Sequence, residues 1–251
     1  MDNFLWFMYD SCHTWYVTII KSCPMEYKRI GENMDKLTQA LYFRHACKKF
    51  DKTKKIDPAE IEYILDAGRL SPSAYGLEPW HFVVVDSPKI KNELSEVCFK
   101  QEQVTSCSHY VIVLYRKSNS FSIQSEYFRK AVARTLPNPD DQNSIDVMCQ
   151  SRLNFYENGL ASGLTMNHSF EMQAYLACAN MLTAAAYHNI DSCAIGGFQH
   201  DGVIKILENH IPSFSGENFG VALCLAFGYR INEPKPKIRW PLKDITTYLS
   251  E

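Results

Sequence analysis

Four short segments hold residues whose types and spacing could do chemistry. In the first, Arg44-His45-Ala46-Cys47-Lys48-Lys49-Phe50-Asp51, Arg44 and Lys48 are four apart, so on a helix they share one face. Two cations on one face suit a phosphate, and Arg adds two-pronged geometry, although a solvated charged face is the commoner fate of such a cluster. The second segment runs from Ser71 to Phe82 and includes Pro72, Ser73, Ala74, Tyr75 and Gly76. Its Ser, Pro and Gly explain a helix stop and a turn. They do not explain a long loop holding Tyr75 and Trp80 at a strand's end, where binding loops tend to sit. The third, Asp191-Ser192-Cys193-Ala194-Ile195-Gly196-Gly197-Phe198, sets two glycines after an apolar strand. Glycines there let a ligand ring approach the backbone, with amide N–H groups free to donate; a tight turn explains them equally. In the fourth, Pro236-Lys237-Ile238-Arg239-Trp240-Pro241, Lys237 and Arg239 point the same way in an extended chain and could complete an anion site.

The elements that must position these segments follow from periodicity. A short helix is expected over 35–46 and a firmer one over 58–69. The second has Asp57 as N-cap, Pro58 at its first position and Glu60 three residues after the cap. Strands are expected at 82–85, 110–115, 192–195 and 219–229, with helices at 88–99, 171–188 and 200–209. The runs YVIVLY and FGVALCLAF are apolar throughout, which suggests a sheet buried on both faces. The Ala-rich 171–188 helix permits close approach of another helix. Residues 122–170 form a polar, mainly helical excursion, broken near 136–141. The fold class is α+β, a central sheet between helices.

Composition excludes several classes. The chain has 251 residues, 46% hydrophobic and 22% charged, an ordinary globular balance. A net charge of −2 gives no reason to propose nucleic acid or an acidic membrane as partner. Nine widely spaced cysteines without a C-x-x-C suggest a reducing compartment, the cytoplasm. The eight histidines show no H-x-x-x-H, so no metal is expected. No G-x-G-x-x-G follows a strand, so a separate dinucleotide domain is not indicated. The apolar stretch 4–20 is interrupted by Asp10, Ser11 and His13 and is too short to span a membrane. Residues 1–33 are expected to be an extension, non-native or disordered, ahead of a single domain over 34–251.

Taken in this order, the words RHACKKFD, LSPSAYGLEPWHFVVV, Cys107-Ser108-His109 before an apolar strand, NIDSCAIGGF and KPKIRWP resemble those of the nitroreductase family, over about residues 36–245. The resemblance implies an α/β sandwich with a mostly antiparallel central sheet, forming a homodimer with FMN at the interface. It implies flavin contacts from Arg44, His45, Ala46 and Lys48, with Arg44 on the phosphate and Lys48 on the pyrimidine side. Pro72, Ser73 and Ala74 would touch the flavin bound mainly by the other subunit. Tyr75 and Gly76 would face substrate. Gln103 falls near positions that hydrogen-bond the ring, Ile195, Gly196 and Gly197 against the ring, and Lys237 and Arg239 on the phosphate. Where many members have Glu, this chain has Gly196.

The activity so implied is reduction of nitroaromatics, quinones or related small acceptors by NAD(P)H, in ping-pong order through FMN. The flavin carries the chemistry, so no catalytic side chain is expected. A relative acting on an enone, a flavin or a halogenated aromatic is the first alternative, and a flavin-binding protein without turnover the second.

Overall fold

The computed structural model describes residues 34–160 and 163–250; the expectation of an extension over 1–33 lies outside them. The chain divides into two units, Met1–Gln39 and Ala40–Glu251. In the first, the Asp35 carboxylate accepts from the Thr38 amide and hydroxyl, at 3.1 and 2.6 Å, and so caps helix α1 (Lys36–Phe43). The second unit holds the rest of the described elements.

Helix α2 (Pro58–Arg69) starts as its sequence demands. The Asp57 side chain accepts from the Ala59 amide at 2.9 Å, and Pro58 occupies the first position. Glu60 does not complete a capping box; its carboxylate pairs with His188 instead. Strand β1 (Trp80–Val85) leads to α3 (Pro88–Val97), the short α4 (Glu102–Ser106) and strand β2 (His109–Arg116). The excursion contains α5 (Glu126–Ala133) and α6 (Gln142–Asn158). Next come the long α7 (Met166–Tyr187), β3 (Asp191–Ile195), α8 (His200–His210) and β4 (Phe219–Gly228). Helix α7 begins about a turn earlier than its apolar run suggests. Thr165 and His168 form a reciprocal cap, with the Thr165 hydroxyl accepting from the His168 amide and the Thr165 amide donating to His168 Nδ1.

The four strands form one antiparallel sheet in the order β1-β2-β4-β3. Alternation along β2 sends Tyr110, Ile112 and Leu114 to one face and Val111 and Val113 to the other. The first face packs against Leu94, Val104, Val203 and Leu207 from α3, α4 and α8. The second packs against Ile61 and Ile64 of α2 and Ala174, Ala177, Cys178 and Met181 of α7. Helices on both faces are why β2 and β4 carry no polar face; each buried Leu or Ile contributes roughly 1.5–3 kcal/mol. Small residues set the α2–α7 spacing. A Cβ at Gly68 would stand 2.9 Å from Met181 Cγ, closer than packing allows. The excursion closes over a third core, where Phe121 lies 4.2 Å from Phe170 and Leu77, Phe128, Ile145 and Tyr156 complete the packing.

Candidate functional site

The first chemical segment is not the tail of a helix. Helix α1 ends at Phe43, and residues 44–50 run beside the free edge of β3, where Ala46 pairs with Ser192 and the Cys47 amide donates to Ser192 O at 3.0 Å. Arg44 and Lys48 still work together, but for a reason other than helical spacing. Lys48 Nζ reaches 3.7 Å from Cys193 Sγ, and burial pushes that thiol up while Lys48 and then Arg44 pull it down. Cys47 and Phe50 turn into the core and anchor the segment. The His45 ring is engaged elsewhere, with Nδ1 3.6 Å from the buried Asp191 carboxylate. Burial raises the Asp191 pKa, against the Arg230 amide, the Arg230 side chain and His45, which lower it.

The fourth segment folds back onto the first. Lys237 Nζ donates to Leu41 O at 2.6 Å and to Arg44 O. Burial, then Arg44, then Arg239 depress the Lys237 pKa. Arg44, Lys237 and Arg239 are thus close enough to repel one another, a set that suits a multiply charged anion.

The third segment supplies a floor. Along the exposed side of β3 and its neighbour stand Ala46, Ala194, Gly196 and Gly197, with no atom beyond Cβ among them. The Ile195 side chain points into the core, so only its backbone can meet a ligand. Gly197 is held in place. Its carbonyl accepts from Gln101 Nε2 at 2.7 Å, and Gln101 Oε1 accepts from the buried Gln103 amide at 2.9 Å. Gln101, rather than the expected Gln103 two positions away, is the residue in direct contact with Gly197. Gly196 is unconstrained: an added Cβ would meet only Leu223 Cδ1, at 3.8 Å. Gly196→Glu is expected to fold normally, with Tm within about 2 °C of the parent by differential scanning fluorimetry. A large loss would show that backbone freedom is needed there.

The second segment sits apart on α7. Ser71 Oγ accepts from Asn180 at 2.8 Å, and the Ala74 amide donates to Gln173 Oε1 at 2.8 Å. Pro72, Ala74, Tyr75 and Gly76 are exposed. Tyr75 adopts φ 56°, ψ 17°, and Gly76 φ 63°; the left-handed region costs an aromatic residue roughly 1 kcal/mol or more. The structure thus places Ala46 beside the start of β3 and Gly196 and Gly197 just past its end, with Lys48 near Cys193 between them, Lys237 near Arg44 and Arg239, and Gln103 behind Gln101. Pro72–Gly76 belongs to another face of the same chain, the loop that α7 braces.

Comparison with known proteins adds three findings. Residues 41–229 match the sequence pattern of the nitroreductase family. YfkO of Bacillus subtilis strain 168, a proposed NAD(P)H nitroreductase, is 36% identical over 217 residues, covering 85% of this chain and 97% of that protein. SH0546 of Staphylococcus haemolyticus, given the same proposed activity, is 37% identical over 223 residues, covering 85% and 97%. Among solved structures, a protein from Exiguobacterium sibiricum in complex with FMN superposes with a TM-score of 0.69 at 22% identity, covering 87% of this chain and 99% of that one. The enone reductase CLA-ER superposes with a TM-score of 0.68 at 25% identity, covering 87% and 99%.

Proposed function

The chain belongs to the nitroreductase family, and we propose that it is an FMN-dependent oxidoreductase, a homodimer in which NAD(P)H reduces a small nitroaromatic, quinone or related acceptor. One observation carries this reading. A strip with no side chain larger than a methyl group, Ala46, Ala194, Gly196 and Gly197, runs along the β3 edge, where Lys48 and Arg44 both bear on Cys193 and Arg44 is joined by Lys237 and Arg239. A flat ring with a phosphate tail fits that donor set, and the set contains no carboxylate to repel it.

In this reading Arg44, Lys237 and Arg239 hold the FMN phosphate. Lys48 holds the pyrimidine edge, where its charge stabilises negative charge gained on reduction. The Gly196 and Gly197 backbone directs an N–H toward the ring, and Gln101 with Gln103 fixes that peptide. His45 acts by tying its segment to Asp191. Bound FMN would supply two-electron chemistry, accepting a hydride from NAD(P)H and passing it to the acceptor at one open face, in ping-pong order. The protein's part is to bind, orient and exclude water.

Dimerisation is supported by α7. One face is packed in the core, yet Met172, Tyr175 and Leu176 on the other are exposed, an all-round apolar helix that wants a second cover. The C-terminal arm adds Trp240 at 77% exposure and Leu249 at 98%. A partner seated on α7 would bring its flavin to Pro72, Ser73 and Ala74, with Tyr75 and Gly76 facing the acceptor. We place the protein in the cytoplasm, because the seven cysteines among the described residues are all free thiols. No helix among those residues is long and apolar enough to cross a membrane.

The test is the visible spectrum of the purified protein before and after anaerobic NADPH or NADH. A flavin spectrum that bleaches supports the reading. Protein that stays colourless after reconstitution with FMN overturns it. Enone reduction is the second reading, favoured by the likeness to CLA-ER, and an enone offered beside a nitroaromatic separates the two.

A further inference from the structure

Helix α6 buries a cation that has no counter-ion among the described residues. Arg152 is 4% exposed, and of its guanidinium only Nη2 has a partner, donating to Thr135 Oγ1 at 2.8 Å. Nε and Nη1 are buried without one. One turn further along the same helix the Tyr156 hydroxyl is buried beside the Gln173 and Ser169 side chains; burial raises its pKa and those side chains pull it down. The titratable groups that bear on Arg152 are Cys149, Tyr75 and Tyr156, and none is Asp or Glu. A buried guanidinium of this kind is costly to keep unless something pairs with it. Native proteins seldom leave two donors of one buried guanidinium orphaned.

The position says what the donors are for. The guanidinium carbon lies 5.6 Å from the centroid of the Tyr75 ring, and Tyr75 is itself 45% exposed. Tyr75 packs edge-on against Phe155 at 5.3 Å and belongs to a loop in left-handed conformation. The ring therefore stands between orphaned donors and solvent, on a backbone that gains by leaving its present geometry.

We propose that Arg152 and Tyr156 form an anion-recognition subsite of the acceptor pocket, that Tyr75 turns aside to open it, and that the acceptor carries a carboxylate. The proposal rests on the reading that Tyr75 faces the acceptor. A carboxylate takes two parallel N–H bonds from one edge of the guanidinium, Nε with Nη2 or Nη1 with Nη2, and a third from the Tyr156 hydroxyl, so the buried charge gains a counter-ion. The reducible group then extends from the carboxylate along Tyr75.

The experiment compares 4-nitrobenzoate with its methyl ester, on the full chain loaded with FMN. Two readouts are taken: kcat/KM with NAD(P)H, and calorimetric binding to the oxidised protein without donor. The parent is expected to prefer the carboxylate by at least about 10-fold, and in Arg152→Gln that ratio is expected to collapse to about one. Arg152→Lys should restore part of it, and Tyr156→Phe, which removes one hydroxyl, should lower it a few-fold. A parent that does not discriminate overturns the proposal. So does a variant in which both acceptors weaken equally, since that marks a structural role. A rise confined to the KM for NAD(P)H also overturns it and reassigns the subsite to the donor. If NAD(P)H fails to reduce the flavin, the functional reading falls, and the calorimetric ratio still decides the role of Arg152.

Discussion

Colourless protein is the expected result of replacing Arg44 and Arg239 together by alanine. The phosphate of FMN carries nearly two negative charges, and in the proposed site it would meet Lys237 together with Arg44 and Arg239, both of which bear on that lysine. Hydrogen bonds to a charged group contribute about 1.5–3 kcal/mol each, so losing two of them weakens FMN binding by roughly a hundred- to ten-thousand-fold. Lys237 alone cannot compensate, because its ammonium is also engaged with the carbonyls of Leu41 and Arg44. Those contacts are to backbone, so the double variant keeps the loop that carries the site. The measurement is flavin absorbance per chain, followed by fluorescence titration with FMN. Parent-like flavin content would remove these residues from the phosphate site.

Leu176→Asp is expected to give a monomer without flavin. Leu176 is exposed in the single chain, so the change removes no core contact and the fold survives. In a two-fold dimer each substitution counts twice, and two carboxylates would be set into an apolar contact. Each forfeits roughly 1.5–3 kcal/mol of Leu burial and adds a desolvation cost of several kcal/mol. Flavin should leave with the partner, because Pro72–Ala74 and the Arg44 cluster occupy different faces of one chain. Light scattering coupled to gel filtration gives the mass, and absorbance gives the flavin. A variant that stays dimeric and yellow places the interface elsewhere.

How legible the protein is depends on how local each cause is. The Asp57-Pro58 start of α2 and the double-sided apolar runs of β2 and β4 depend on neighbours in sequence, and periodicity reads them directly. The start of α7 escaped because the third residue after the Thr165 cap is His168, where a capping box ordinarily has Glu or Gln. The segment after Phe43 reads as helix until Ser192 claims its backbone, and no local pattern announces a partner so far along the chain. Glu60 turned to His188 for the same reason. The cation clusters at Arg44 and Lys237 were visible by residue type. The burial of Arg152 was not, since a lone Arg in a polar helical stretch looks like any solvated one.

The bond from Lys237 back to the carbonyl of Arg44 joins residues 193 positions apart. A chain ending after β4 would hold every strand of the sheet, yet lack the lysine and arginine that we propose complete the phosphate clamp. On the proposed reading, flavin retention would report a chain intact past Arg239. Because the contact spans so much sequence, its closure entropy is met only after the rest of the domain has collapsed and brought the ends together.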